Sequence, residues 1–329
     1  MKMLVTGGSG FIGTNFIEAM SGEAKILNYS LHPPLSPEQA KYWRQGDVLD
    51  LDSLATAFQQ FRPDCVLHLA ARAECDETTT LEKGYRVNTE GTRNVLKAIA
   101  DSPSIQRVVI TSSQFVCGPG RLPKSDTDYF PETIYGESKV ITEKKTREAN
   151  LRCYWTIIRP TNIWGPWHMR YRREFWRIVA RGLYLHPGKQ PVIRCYGYVK
   201  NVVHQIQRIF ESDVKVVSGK TFYLGDPPVN LYDWANGFSL ALTGHRVRVV
   251  PRWLMHFLAA IGDIPTRLTG KAFLINSSRL RSMTTDYLTP MDKTFDLLGE
   301  SPYTLEQGIL QTVEWLQSYH GADAFGGGS

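Results

Sequence analysis

Tyr135 and Lys139 are the residues of this sequence best suited to proton transfer. They stand four residues apart, so on a helix both side chains lie on one face. Free tyrosine, with a pKa of about 10, is a poor base at neutral pH, but a nearby ammonium group favours the phenolate and lowers that value. Such a phenol can exchange a proton with an alcohol or a carbonyl group. Ser113, which follows a short apolar run, can bind the same oxygen as charge develops on it.

The run TGGSGFIG near the start of the sequence lies between a strand-like segment and a helix-like segment. Gly7 permits a tight turn, Gly10 lets a pyrophosphate approach the backbone, and Gly13 lets the helix pack closely on the strand. Phe11 and Ile12 would open the helix, whose N-terminus favours anions. The segment therefore predicts a dinucleotide site.

The second strand carries the residue that would select the dinucleotide. In folds of this kind an acidic residue usually ends that strand and binds the adenosine ribose. The sequence predicts Asn28 for this position. An amide can bind a ribose hydroxyl without repelling a 2′-phosphate, so NADP remains possible beside NAD, which is the favoured cofactor.

Short apolar runs alternate with helical patterns through the first half of the chain. This alternation predicts a doubly wound parallel sheet of the Rossmann type, in the α/β class. The predicted strands begin at Lys2 and cover 25–29, 64–69, 107–111 and 154–159, and the predicted helices cover 11–20, 51–61, 81–100 and 135–148.

The composition of the sequence changes after Gly165, where aromatic residues and arginines become frequent. We expect residues 1–165 to form the dinucleotide-binding domain, with 199–224 returning to it as a helix and a strand. Residues 166–198 and 225–320 are expected to form mainly a smaller substrate-binding cap. A final helix is predicted over 305–316, and 321–329 resembles a linker or tag remnant.

Composition narrows the classes of function. The chain has 329 residues, a formal charge of +6 and a pI of about 9.0, which is too mild and too dispersed to indicate nucleic-acid binding. The five cysteines show no spacing typical of a metal site, and reduced thiols in a cytoplasmic protein are expected. No apolar run is long enough to predict a transmembrane segment.

Taken together, the motifs resemble the extended short-chain dehydrogenase/reductase family, especially its nucleotide-sugar epimerases and dehydratases. The resemblance runs from Lys2 to about Leu316 and rests on TGGSGFIG, GDVLD at 46–50, DCVLHLAA at 64–71, VNTEGTRNVL at 87–96, VVITSSQFVCG at 108–118, YGESK at 135–139, RPTNIWGP at 159–166 and RCYGYVKNV at 194–202.

The resemblance implies a role for each matching residue. The catalytic set would be Ser113, Tyr135 and Lys139. Residues that would contact the cofactor, from the adenine to the nicotinamide end, are Asp47, Val48, Leu69, Ala70, Ala71, Asn88, Pro160, Thr161 and Asn162. Arg194 matches the arginine that binds the substrate diphosphate. The resemblance also implies a homodimer formed through helices 81–100 and 135–149.

Departures from the family pattern bear on the subclass. Dehydratases and decarboxylases carry an acidic residue just after the serine pair, where this chain has Gln114 and Phe115. Elimination of water would lack its acid, so dehydratase activity is not expected and Gln114 becomes a substrate-binding candidate. Cys117 replaces a usual tyrosine, and Asn201 replaces a usual acidic residue.

The segments expected to bind the substrate carry less specific sequence motifs. Arginines recur through 170–181 among aromatic residues, and Arg177 is a candidate phosphate ligand. The apolar segment 251–261 resembles the hydroxysteroid dehydrogenases of the family. We expect it to form a helix packed on the cap rather than one that rests on a membrane surface.

Three hypotheses follow. The first is an NAD(P)-dependent nucleotide-sugar epimerase or 4-ketoreductase. The second is a 3β-hydroxysteroid-type or other apolar alcohol dehydrogenase. The third is a non-catalytic dinucleotide-sensing protein, which the intact serine, tyrosine and lysine set argues against.

Overall fold

The computed structural model of the chain describes residues 1–269 and 275–320, without the side chains of 266–269 and 319–320. The segment 321–329, interpreted above as a linker or tag remnant, lies outside the described residues. The first half of the chain runs through β1 (Lys2–Thr6), α1 (Phe11–Met20), β2 (Lys25–Ser30), β3 (Trp43–Gln45), α2 (Leu51–Phe61), β4 (Cys65–His68), α3 (Leu81–Gly84), α4 (Thr92–Ala100), β5 (Arg107–Thr111), α5 (Ile134–Glu148), β6 (Tyr154–Pro160) and β7 (Asn162–Trp164).

The second half contains shorter elements. They are α6 (Met169–Tyr171), α7 (Arg177–Ala180), β8 (Leu185–Pro187), β9 (Ile193–Arg194), β10 (Tyr196–Tyr198), α8 (Val199–Glu211), α9 (Val214–Val217), β11 (Thr221–Leu224), β12 (Val229–Asn230), α10 (Leu231–Thr243), β13 (Arg248–Val250), α11 (Arg252–Thr269), α12 (Ser277–Thr284), α13 (Asp292–Leu298) and α14 (Leu305–His320). Single 3-10 or π-helical turns occupy Pro37–Tyr42, Val87–Gly91, Gln114–Val116 and Arg172–Trp176.

Within the described residues, seven parallel strands form the main sheet in the order β11-β6-β5-β4-β1-β2-β3. All four residues of β4 are buried, as a parallel sheet covered on both faces requires. On one side the sheet packs against α2 and α4 through a core that includes Leu54, Phe58, Val95 and Ile99. The predicted Rossmann-type fold is confirmed.

The register of the sheet brings several strand ends to one edge. Thr6 of β1 pairs with His68 of β4, and Thr111 of β5 pairs with Ile158 of β6. Because ligands of doubly wound sheets bind beyond the carboxyl ends of the strands, this edge is where a site is expected. Strand β11, which lies within 199–224, pairs with β6 at the edge of this sheet.

The chain divides into two compact units. Of the described residues, the first contains 1–167, 197–226 and 289–303, and the second contains 168–196, 227–269, 275–288 and 304–320. Residues 289–303, which the sequence analysis grouped with the cap, therefore lie in the first unit. There Thr294 of α13 is fully buried and its hydroxyl donates to the carbonyl of Tyr223 in β11.

The helix predicted over 81–100 is divided in the structure. It consists of α3, the π-helical turn Val87–Gly91 and α4, with an irregular residue at Tyr85 (φ −127°). Tertiary contacts explain the break. The ring of Tyr85 is fully buried and its hydroxyl donates to the carbonyl of Glu74, which fixes the preceding loop.

A buried ion pair joins helix α5 to the sheet. Glu143 of α5 and Arg159 of β6 are both fully buried, with Nε–Oε1 at 2.7 Å and Nη2–Oε2 at 2.8 Å. The Glu143 carboxylate also accepts hydrogen bonds from two hydroxyl groups, those of Ser112 and Tyr129, at 2.6 and 3.0 Å. Buried charges persist only when they are paired and hydrogen-bonded in this way.

We expect Arg159→Met to destabilise the ligand-free protein by about 3–5 kcal/mol, because within the described residues Glu143 would keep only the more distant Arg147, at 3.5 Å, as a cationic partner. Urea unfolding measures this change. The control is Arg208→Met, which removes an exposed pair with Glu211 and should cost less than about 1 kcal/mol. Equal losses in the two variants would contradict the assigned role of the buried pair.

Candidate active site

The glycine-rich loop between β1 and α1 is shaped by close backbone contacts. Gly7 has a φ of 71°, and a Cβ there would lie 2.5 Å from the backbone nitrogen of Ala70. A Cβ on Gly13 would lie 2.5 Å from the Cα of Gly8. Each of these positions therefore requires glycine, the first for its backbone conformation and both for space.

The loop fits a pyrophosphate group. Gly10 is the N-cap residue of α1 and provides no side-chain cap, and a Cβ there would meet nothing closer than 3.3 Å. The first turn, which includes Phe11 and Ile12, directs backbone N–H groups without intrahelical acceptors towards that space. A helix N-terminus with this geometry stabilises a phosphate anion. The residues present thus fit the dinucleotide predicted from the sequence.

Asn28 does not occupy the position predicted for it. It lies in the middle of β2, paired with Val5, and the strand continues to Ser30. Its side chain is fully buried, where Nδ2 donates to Ser9 Oγ at 3.0 Å and Oδ1 accepts from Ser30 Oγ at 2.6 Å. Both amide atoms are engaged beneath the glycine-rich loop, so Asn28 braces the loop, and Ser30 is the residue that ends the strand.

The other residues predicted to contact the cofactor surround the same sheet edge. Asp47 accepts from the N–H of Leu49 at 2.9 Å, and Val48 is buried. Leu69, which follows β4, donates its N–H to Thr6 at 2.9 Å, and Ala70 and Ala71 follow it half-buried.

Asn88 connects three segments of the chain through hydrogen bonds. Its Oδ1 accepts from the N–H of Arg72 at 2.8 Å, and its Nδ2 donates to Ser138 Oγ of α5 at 2.8 Å. Its backbone carbonyl accepts from Thr142 of α5 at 2.9 Å. Asn88 therefore holds α5 and the loop after β4 in fixed positions.

The segment predicted to close over the nicotinamide end follows β6. Pro160 is the last residue of β6, and Thr161 donates both its N–H and its hydroxyl to the carbonyl of Leu224, at 2.9 and 3.1 Å. Asn162 is half-buried at the start of β7. The double contact of Thr161 fixes the direction in which the chain leaves the sheet.

The structure brings the three predicted catalytic residues together. Tyr135 and Lys139 lie on the buried face of α5, and the Ser113 side chain lies close enough to Tyr135 to influence the pKa of its phenol. The Tyr135 ring packs edge-on to Phe115 at 5.8 Å and tilted to Tyr85 at 6.2 Å. The phenol is thus held in one orientation beside the end of β5.

The pKa shift of Tyr135 is opposite to the one expected from the sequence. Burial raises the pKa of Tyr135 above its ordinary value, with the hydrogen bond of Ser113 opposing the rise. Burial also lowers the pKa of Lys139 to about 8, although the charge of Glu143 opposes the change. Lys139 Nζ donates to the carbonyl of Thr111 at 2.9 Å. In the ligand-free protein, desolvation therefore outweighs the predicted effect of the lysine on the phenol.

Sequence reasoning missed the residues that support Lys139. Glu143 lies one helical turn beyond it, at the same i+4 spacing, which was the available signal. His68, next to the cofactor-lining run, is buried between Thr6 Oγ1 at 2.7 Å and Thr92 Oγ1 at 3.2 Å. Burial and the charge of Lys139 lower the His68 pKa to about 3. It is therefore neutral and adds no charge near the site.

The substrate candidates fall in different units. Gln114 is buried directly after Ser113 in the first unit. Arg194 and Arg177 lie in the second unit, where Arg177 is exposed. Arg194 is more than nine-tenths buried, and its Nη1 donates to the carbonyls of Ser282 and Thr285 at 2.6 and 3.0 Å. Its Nε has no partner within the described residues.

The departure at Asn201 has a structural explanation. Asn201 donates to Asp226 Oδ1 at 2.7 Å, so Asp226 places a carboxyl beside it. Asp226 also accepts from the N–H of Tyr198 at 2.6 Å, and burial raises its pKa to about 6. Cys117 is buried.

Across the described parts of the chain, no group of three His, Cys, Asp or Glu residues is placed to hold a metal, and no helix meets the length and apolarity needed to cross a membrane.

Comparison with known proteins agrees with this fold. The family model described as the NAD dependent epimerase/dehydratase family matches residues 3–225. The chain therefore belongs to this family, which confirms the resemblance stated from the motifs.

Individual relatives are more distant. The chain is 27% identical to N-acetyl-alpha-D-glucosaminyl-diphospho-ditrans,octacis-undecaprenol 4-epimerase of Escherichia coli O157:H7, with 95% of each chain covered. It is 28% identical to 3-beta-hydroxysteroid dehydrogenase of Mycolicibacterium neoaurum, covering 73% of this chain and 70% of that protein. Among solved structures it is similar to MoeE5 in complex with UDP-glucuronic acid and NAD, at a TM-score of 0.73 and 19% identity, covering 97% and 100% of the two chains.

We expect Gly13→Ala to destabilise the ligand-free protein by roughly 1–3 kcal/mol and to weaken NAD binding, since the new Cβ forces α1 away from the loop. Urea unfolding and titration with NADH measure the two effects. Gly22→Ala is the matched control, because a Cβ there meets nothing within 4 Å. If both variants bind NADH as the unchanged protein does, the loop is not the cofactor site.

Proposed function

We propose that this protein is an NAD-dependent 4-epimerase or 4-ketoreductase that acts on a nucleotide sugar. The observation that carries the proposal is the convergence of Ser113, Tyr135 and Lys139 on the sheet edge that also carries the glycine-rich loop. A non-catalytic sensor would not need all three groups. The family assignment and the NAD in the complex of the structural neighbour MoeE5 support NAD as the cofactor.

The proton steps follow from the geometry. When bound, the oxidised nicotinamide of NAD accepts hydride and brings a positive charge to the site. Positive charge near a phenol lowers its pKa, which offsets the effect of burial on Tyr135. Tyr135 then accepts the proton of the substrate hydroxyl and returns it in the reverse direction. Ser113 binds the same oxygen. Lys139 donates a hydrogen bond to the carbonyl of Thr111, which holds its ammonium group at this end of α5.

Arg194 supports an anionic substrate. A guanidinium group is costly to bury unless its donors are satisfied. Two backbone carbonyls satisfy Nη1, while Nε has no partner within the described residues. A diphosphate oxygen would provide the missing acceptor with charge-assisted strength. Arg177, exposed on α7, is proposed as a further phosphate contact.

The subclass follows from what stands beside Ser113. Gln114 has no ionisable carboxyl, so it can hydrogen-bond a sugar hydroxyl but cannot supply the acid for loss of water. Epimerisation and keto reduction need only the tyrosine and the cofactor. The hydroxysteroid dehydrogenase relative keeps the alternative of an apolar alcohol substrate, but a buried arginine with an open donor favours the diphosphate.

We also propose a cytoplasmic homodimer. None of the five cysteines, all within the described residues, forms a disulfide, which is typical of a reducing compartment. A dimer through helices 81–100 and 135–149 would join charged surfaces, since their exposed side chains include Arg93, Lys97, Lys144 and Glu148. Light scattering measures the assembly.

Tyr135→Phe should lower turnover of a nucleotide-sugar substrate at least about 100-fold, because the proton acceptor is lost. NADH binding and the unfolding midpoint should stay close to those of the unchanged protein. Turnover is followed by product analysis with UDP-glucose, UDP-N-acetylglucosamine and UDP-glucuronic acid. Tyr154→Phe, on an exposed residue of β6, is the control. Unchanged turnover in the Tyr135 variant would show that the base has been misassigned.

Arg194→Met should weaken nucleoside diphosphate binding by at least about ten-fold, or about 1.4 kcal/mol, and leave NAD binding unchanged. The measurement is the shift in unfolding temperature caused by UDP, GDP, CDP and dTDP, each relative to the same variant without ligand. Arg281→Met changes an exposed arginine of the same unit and serves as control. Equal loss of nucleotide and NAD binding would contradict the placement of Arg194.

A further inference from the structure

Helix α11 carries large apolar side chains on two opposite faces. Its inner face contributes Met255 and Ala259, both almost fully buried, to a small core with Leu280 of α12. Its outer face carries Trp253, Phe257, Ile261 and Ile264, which are 70%, 60%, 48% and 60% exposed. The expectation that this helix only packs on the cap therefore describes one face of it.

The outer residues form a continuous stripe. At 3.6 residues per turn, the positions 253, 257, 261 and 264 fall within roughly 80° of arc. The acidic residue of α11 is turned aside, because Asp263 accepts from the N–H and hydroxyl of Ser277 at 3.0 and 2.6 Å. Single exposed apolar residues are ordinary on protein surfaces, but four on one helical face mark an interaction surface.

Basic residues precede this stripe closely in the chain. Strand β13 leads directly into α11 and carries exposed Arg246 just before it and exposed Arg248 within it. Within the described residues, neither arginine has an acidic partner. Both line a cleft of about 270 Å³ together with Arg181 and His245.

We propose that the outer face of α11 and the adjacent arginines dock this protein on an anionic phospholipid surface. The apolar stripe would enter the boundary between headgroups and acyl chains, where tryptophan is favoured. Arg246 and Arg248 would lie against lipid phosphates. A second copy of the chain fits less well, because it would present the same uncompensated arginines. The inference is independent of the proposed catalytic function, since none of these residues belongs to the catalytic set.

Sedimentation of the full chain with vesicles tests the proposal. Binding to vesicles with 30% phosphatidylglycerol should exceed binding to pure phosphatidylcholine vesicles at least ten-fold, and should fall in 0.5 M salt, which screens surface charges. The double change Trp253→Ser with Phe257→Ser should reduce binding at least ten-fold. The change Arg246→Glu with Arg248→Glu should abolish the preference for the anionic lipid.

The controls separate docking from loss of fold. Leu310→Ser removes an exposed apolar residue of α14, and Lys25→Glu reverses an exposed charge of β2; both should bind vesicles as the unchanged chain does. NADH titration confirms that each variant is folded. The proposal is overturned if the unchanged chain does not sediment with anionic vesicles, or if the α11 variants sediment equally well. It is also overturned if light scattering shows that the α11 changes dissociate an oligomer, since a second copy would then cover this face.

Discussion

The geometry of the site depends on the buried pair between Glu143 and Arg159. Helix α5 carries Tyr135, Lys139 and Glu143 at successive i+4 positions, so fixing the third residue fixes the azimuth of the first two. Glu143 is anchored to β6 through Arg159. It also accepts a hydrogen bond from Ser112, the residue before Ser113. One carboxylate therefore aligns both the helix and the strand end that provide the reacting groups.

Most of the first unit could be predicted from sequence because its elements are specified locally. The bounds of α1, α2 and β5 match the predicted ones, since turn glycines and apolar periodicity mark them directly. Asn28 was misplaced because β2 ends at Ser30, two positions beyond Asn28, so a different side chain stands at the end of the strand. The break at Tyr85 was not predictable, because it depends on a contact with the carbonyl of Glu74 that periodicity does not reveal.

The electrostatics of the site could be predicted even less. The i+4 spacing of Tyr135 and Lys139 suggested a depressed phenol pKa, but spacing carries no information about desolvation. In the folded chain both groups are buried, so each shifts towards its neutral form. Helix α11 shows the same limit, since an all-apolar pattern predicts a helix but does not tell which face the protein covers.

The ion pair also explains how Lys139 can keep a charge available to the site. A carboxylate one turn away would normally bind the lysine directly and neutralise it. Here Arg159 occupies both oxygens of Glu143, with Ser112 and Tyr129 as further donors. Glu143 therefore opposes the desolvation of Lys139 through space, and within the described residues the Lys139 ammonium donates one hydrogen bond, to the carbonyl of Thr111. The other two of its three donors thus remain available to groups that enter the site beside Tyr135.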